Sequence, residues 1–206
     1  MSAPGHLIPR EPPTLEGRDV RLIPLLMNQL DRLCSIGLDP ALWAHTTIRV
    51  YDAAEMRQYV QNALDAQAAG TALPFAIVGR GACGIVGTTR FHSIAREHRR
   101  LEIGFTWIGG PWQRTAINTE TKFLLLRQAF ETWGCERVQF KVDTENEVSC
   151  RSLEGLGAKR EGTLRRYLQS AHRGARDLAL FGIVAPDWPA VKAALAQRLA
   201  PAPRQD

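Results

Sequence analysis

Residues 111–134, PWQRTAINTETKFLLLRQAFETWG, change character halfway along. From about 116 to 133 the spacing predicts a helix, because Phe123, Leu126, Phe130 and Trp133 recur on one face and Gly134 stops the run. The lead-in is polar. Gln113, Arg114 and Thr115 precede the helix, and no acidic residue intervenes before Glu120. A helix N-terminus offers free backbone N–H groups and the positive end of the macrodipole, so this mouth is suited to an anion. A capped core helix with a polar entry explains the same residues, and the stretch alone leaves both readings open.

Working outward places this helix in an ordered series. Before it, residues 73–80, 83–92 and 98–107 read as three strands joined by short turns, an antiparallel meander. Gly104 lies inside the third, where glycine marks a bulge or a close backbone approach. After the helix, Val138, Phe140 and Val142 alternate in a strand over 136–142. A short helix over 147–156 and two long strands, 158–170 and 176–185, come next. PDWPAVKAALAQRL closes the chain as a helix. Upstream lie a strand at 18–24 and helices at 27–37 and 52–69, the latter capped by Asp52 and ended by Gly70. The order β-αα-βββ-α-β-α-ββ-α is that of a mixed α/β (α+β) domain. The expected organisation is a flexible arm over 1–14, one domain over 15–200 and a tail over 201–206.

Composition fits this reading. The 206 residues are 45% hydrophobic and 23% charged, ordinary for a globular chain. Cys34, Cys83, Cys135 and Cys150 are scattered without a CxxC, as in a reduced, cytoplasmic protein. The five histidines show no metal-ligand spacing, so no metal is expected. No apolar run approaches the ~20 residues of a membrane span. The net charge of +5 is spread along the chain without a basic strip interleaved with aromatics. That argues against nucleic acid and leaves an acidic partner or a polyanionic cofactor.

Two motif readings drop out. Gly79, Gly81 and Gly84 spell GxGxxG, but the following IVGTTRF is rich in strand formers where a dinucleotide site needs a helix, so the glycines mark a hairpin turn. The chain also lacks GxxxxGK[ST] and GxSxG.

LEIGFTWIGGPWQRTAINTETKFLLLRQAFE, followed by RVQFKVDTENEVSCRSLEGLGAKREGTLR, resembles the GNAT acetyltransferase superfamily, nearest to its RimJ/RimL-like branch. The resemblance covers about residues 15–190 and is most specific over 101–165. It implies a central mixed, mostly antiparallel sheet of about seven strands flanked by helices. It also implies acetyl-CoA as cosubstrate and an amine acceptor, either a peptide or a small molecule, on a monomer or homodimer. The family's pyrophosphate loop falls on Gln113, Arg114, Thr115, Ala116, Ile117 and Asn118, with Ala116 where glycine is usual and Asn118 where glycine or alanine is usual. A methyl at 116 restricts positive φ and crowds a phosphate. Asn146 falls at the position that contacts the pantetheine arm, and Phe105, Thr106 and Trp107 where strand backbone pairs with it.

The resemblance also suggests catalytic groups. Glu102 matches the glutamate that takes the amine proton in the histone-acetyltransferase branch, although pairing with Arg99 or Arg100 would explain the same carboxylate. The usual leaving-group tyrosine is replaced by Leu153. Ser149 matches a serine given that role in the RimJ/RimL-like branch, although a first-turn helix serine is also explained by backbone capping. The prototype's acidic residue on the next strand aligns with Leu168. The acceptor is expected between Trp43, His45, Arg49 and Tyr51 on one side and Arg165, Tyr167, His172 and Arg173 on the other. The alternative reading is a catalytically silent acyl-CoA-binding module.

Overall fold

The computed structural model describes residues 8–44, 46, 48–170 and 172–200. His45 therefore lies outside the described residues. The chain forms β1 (Leu15–Glu16), β2 (Val20–Pro24), α1 (Leu30–Gly37), α2 (Ala53–Ala68), β3 (Leu73–Gly79), β4 (Gly84–Ala95), β5 (Arg100–Ile108), α3 (Ala116–Arg127), β6 (Arg137–Asp143), α4 (Glu147–Leu156), β7 (Lys159–Ser170), β8 (Gly174–Val184) and α5 (Trp188–Leu199). The strands make one eight-stranded sheet in the order β1-β2-β3-β4-β5-β6-β8-β7. Every neighbouring pair is antiparallel except β5 and β6. The strand beyond the seven read from sequence is β1. It has two residues, too few for a period-2 pattern to register.

Strand alternation divides the core between the two faces of the sheet. On β3, Phe75 and Ile77 point to the face covered by α3 and α5, whereas Ala76 points to the face covered by α1 and α2. Leu124, Leu125, Trp188, Val191 and Leu195 fill the first layer; Leu33, Trp43, Met56, Tyr59 and Val60 fill the second. α3 continues through a π-helical turn, Gln128–Thr132, before Gly134 ends the run at φ +59°. The carboxylate of Glu120, on α3, is buried and accepts the amides of Arg18 and Asp19 at 2.6 and 2.8 Å, fastening the β1–β2 turn to the helix.

The described part of the N-terminal arm is packed against the domain. Ile8 is buried in the core, and the Arg96 guanidinium donates to the carbonyls of Ile8, Pro9 and Gly70. At the centre of the sheet, Gly87 on β4 faces Ile108 on β5. A Cβ there would lie 2.1 Å from the Trp107 carbonyl oxygen, a backbone atom that cannot swing away. Gly87→Ala should therefore cost about 1–3 kcal/mol or more. A denaturant melt coinciding with wild type would refute that.

Candidate active site

The site begins where the sheet comes apart. β5 and β6 are paired only through Arg100↔Arg137, Leu101↔Val138 and Glu102↔Gln139. Past Glu102 the strands diverge, so the β5 edge facing β6 has no strand partner among the described residues. Unpaired backbone N–H and C=O groups there need another partner. The wedge opens into a cavity of about 440 Å³ between Glu102–Trp107 of β5 and Phe140–Asp143 of β6. Asn118 and Lys122 of α3, and Asn146 and Ser149 at the start of α4, complete its wall.

A bulge reshapes the β5 side. Trp107 pairs with Thr88 and Gly104 with Arg90, so Phe105 and Thr106 together oppose Thr89 alone. The irregularity expected from Gly104 is present, centred one residue later. Phe105 takes φ +50°, a left-handed conformation that a bulky side chain adopts only when its surroundings impose it. The Arg90 guanidinium lies 3.9 Å from its ring centroid, the His92 ring meets it edge-on at 5.0 Å, and the Tyr59 hydroxyl donates to its carbonyl at 3.2 Å. Gly104 is small for a local reason: a Cβ there would lie 2.5 Å from His92 Nε2.

Glu102 is 4% exposed at the point where the strands part. Its Oε2 accepts from Lys141 Nζ at 2.9 Å and from Gln139 Nε2 at 3.1 Å, while His92 Nε2 lies 3.5 Å from Oε1. Its partner is thus Lys141, not Arg99, which pairs with Glu136, and not Arg100. Desolvation works against the Lys141 ammonium, but hydrogen bonds to Glu102 and Tyr167 outweigh it and raise its pKa. Burial pushes His92 down to about 4 despite the pull of Glu102, so its imidazole is neutral at pH 7.

Asn146 caps α4, its Oδ1 accepting the Ser149 amide at 3.0 Å. The Ser149 hydroxyl makes no protein hydrogen bond among the described residues and lines the cavity. The buried Asp143 fixes the preceding turn by accepting from Arg173 Nη1 at 3.0 Å, Arg176 Nε at 2.9 Å and the Glu145 amide at 2.9 Å. Arg173 is therefore committed to carboxylates. Of the expected acceptor wall, Trp43 and Tyr167 line the cavity, whereas Arg49, Tyr51, Arg165, His172 and Arg173 do not. The lining on that side is aromatic, with Trp43, Tyr59 and Tyr167 joined by Leu168.

The helix mouth lies at the outer end. Gln113 to Ala116 are exposed and Ile117 is buried in the core; none of these five lines the cavity, which reaches α3 at Asn118 and Lys122. Thr115 caps the helix, accepting the Ile117 amide at 3.3 Å, and Gln113 Nε2 donates to the Ile108 carbonyl at 2.9 Å. Positive φ falls on Arg114, at +58°, and Ala116 starts the helix. The conformational objection to a methyl at 116 therefore does not arise. The Asn118 amide group reaches Ser152 Oγ at 3.4 Å.

His92, Lys141 and Lys122 are among the lining residues that the sequence pattern does not single out. Lys141 was legible, since in RVQFKV it shares with Gln139 the face opposite Val138, Phe140 and Val142. Lys122 stands one turn after Asn118, on the same side of α3.

Similarity to known proteins agrees with this geometry. Residues 19–159 match the family model described as an acetyltransferase (GNAT) domain. The uncharacterized N-acetyltransferase p20 of Bacillus licheniformis is 26% identical over 176 residues, 85% of this chain and 98% of that protein. A GCN5-related N-acetyltransferase from Brucella melitensis superposes with a TM-score of 0.82 at 27% identity, covering 92% of this chain and 86% of that one. Mycobacterium smegmatis RimJ, solved in complex with CoA-disulfide, shares the fold, with a TM-score of 0.74 at 23% identity over 87% of this chain and 88% of that one. With the family model spanning more than half of its length, and a mostly antiparallel sheet split around a bulged strand, the chain belongs to the GNAT acetyltransferases and is an acyltransferase.

Proposed function

We propose that the protein moves the acetyl group of acetyl-CoA to a primary amine, a peptide N-terminus or a small molecule, by direct attack in a ternary complex. The observation that carries this reading is the unpartnered β5 edge beside Glu102. A pantetheine arm has amides at strand-like intervals and would add to that edge as a further strand, along Phe105, Thr106 and Trp107. The mouth over Gln113–Asn118, exposed from Gln113 to Ala116, would take the pyrophosphate, with the amides of Ala116 and Asn118 available to it, and Asn146 would face the arm across the wedge.

Within that arrangement Glu102 takes the amine proton, directly or through a water, and Ser149 hydrogen-bonds the departing sulfur. The base matters because a lysine amine, with a pKa of about 10.4, is neutral in only about one molecule in 10³ at pH 7. An α-amine near 8 is roughly a tenth neutral. By the resemblance Leu168 stands where the branch prototype carries an acidic residue, and Trp43, Tyr59 and Tyr167 line the cavity with it; both support an acceptor with apolar surface behind its amine.

Calorimetry tests the cradle. CoA should bind clearly more tightly than pantetheine lacking the phosphates, and equal affinity would remove the helix mouth from the site. Thiol release from acetyl-CoA across peptide N-termini, lysine peptides, amino acids, polyamines and aminoglycosides tests the chemistry. Binding without turnover on the whole panel would instead support the silent module.

A further inference from the structure

Lys122 has no part in the chemistry described so far. It is 8% exposed, sits in the second turn of α3 and shares the main cavity with Asn146 and Ser149. Its Nζ donates to Thr106 Oγ1 at 2.6 Å and lies 6.0 Å from the centroid of the Phe140 ring. No carboxylate lies within ion-pair distance of it among the described residues. The carboxylates facing the cavity are already engaged: Glu102 by Lys141 and Gln139, Asp143 by Arg173 and Arg176. The other titratable groups there are His92, Lys141, Tyr59 and Tyr167; the Tyr59 hydroxyl is bonded to Thr88 and the Phe105 carbonyl, and the Tyr167 ring lies beside Lys141. Arg151 and Arg198 face Lys122 from a smaller recess of about 90 Å³ on its far side.

A buried ammonium with two unused donors and no counter-ion is expensive to keep. Its position becomes intelligible if a negative charge arrives during function. Acetyl transfer creates one such charge inside the wedge, on the CoA sulfur, whereas the phosphates belong at the exposed mouth. Leu153 lines the same cavity and offers no donor. The Ser149 hydroxyl is a far weaker acid than a thiol, so it can hydrogen-bond a thiolate without protonating it.

Resting on the acetyl-transfer reading, we propose that Lys122 is the acid of the reaction, facing the CoA sulfur and protonating it as the C–S bond breaks. The amine, its ammonium proton already lost to Glu102 or water, forms the N–C bond, and the nitrogen of the tetrahedral adduct sheds its second proton to solvent. Collapse of the tetrahedral adduct sends the C–S electron pair to sulfur, which takes a proton from Lys122 Nζ. The neutral lysine then regains one from solvent, leaving amide and free CoA with no other reactant consumed. Burial pushes the Lys122 ammonium down to about 7, so it gives up a proton readily and recovers it near neutral pH.

The test uses the whole protein with CoA. Ultraviolet absorbance of the thiolate follows the titration of the bound thiol in wild type and in Lys122→Met, which preserves length and burial. In wild type the bound thiol and Lys122 titrate as a coupled pair, each favouring the charged form of the other, so the thiolate should appear about 1–3 pH units below that of free CoA. In Lys122→Met it should titrate at or above the free value, with kcat down about 10²–10⁴-fold and CoA affinity retained. The variant should also fold. A lysine lowered in the folded state destabilises it most below pH 7, an effect relieved as pH rises towards the unfolded value of about 10.4. Lys122→Met should thus melt no lower than wild type, with its largest advantage below pH 7. Identical thiol titrations in the two proteins would overturn the assignment of Lys122 alone. Failure of wild type to bind CoA would overturn the acetyl-transfer reading and this one with it.

Discussion

Replacing Glu102 by glutamine should lower kcat at pH 7 by about 10²–10⁴, the usual worth of a general base, while acetyl-CoA affinity stays near wild type. The substitution keeps the side chain's shape and its place between Gln139 and His92, and removes only basicity and charge. It also leaves the Lys141 ammonium without its counter-ion, so a parallel melt must show that the variant is folded at the assay temperature. The rate loss should shrink as pH approaches the pKa of the acceptor, because solvent then supplies the neutral amine. Recovery beginning near pH ~8 identifies an α-amine acceptor, and recovery near pH ~10 a lysine. An unchanged kcat at pH 7 would leave Glu102 as no more than the carboxylate that seats Lys141 and His92.

What the sequence revealed depended on how local the physics was. Helix α3 announced itself because its apolar stripe and terminal Gly134 are properties of a dozen consecutive residues. The bulge announced itself through Gly104, but the left-handed residue is its neighbour Phe105. Its conformation is imposed by Arg90 and His92 on β4 and Tyr59 on α2, and sequence spacing does not report such contacts. For the same reason Lys141 went unnoticed as the partner of Glu102. A parallel pairing lasting three residues brings together residues 37 positions apart, Glu102 and Gln139. Of the expected acceptor residues, Arg173 is instead spent on Asp143 and Glu145, a commitment that counting arginines along the chain does not reveal. The conformational half of the concern over Ala116 does not arise, because the turn places its left-handed residue two positions earlier, at Arg114. Lys122 was overlooked because a lysine beside an apolar stripe ordinarily extends its ammonium to solvent, and here the chain runs inward.

Asp143→Ala should cost about 3–5 kcal/mol, because it removes the acid from a buried ion cluster and leaves two guanidiniums behind. The Asp143 side chain is 3% exposed, and those of Arg176 and Arg173 are 11% and 18% exposed. Their remaining carboxylate, Glu145, is 60% exposed and compensates poorly. The damage should also reach the site. Asp143 ends β6, accepts the Glu145 amide and precedes the turn that presents Asn146, so CoA should bind the variant more weakly as well. The cluster further sets a pH signature. Burial alone would raise the Asp143 pKa, but the Arg176 hydrogen bonds, the Glu145 amide and the Arg173 charge outweigh it and hold the group below the ordinary aspartate range. A carboxylate lowered in the folded state stabilises fully above its unfolded value, about 3.9, and loses that contribution as pH falls through the lower folded value. The stability gap between wild type and Asp143→Ala should therefore be constant from pH 7 to 5 and close only below about 4. Denaturant melts at pH 7, 5 and 3 measure it. A gap under about 1 kcal/mol at pH 7, the range of an exposed surface pair, would mean that solvent already screens the cluster. Asp143 would then have no claim to position Asn146.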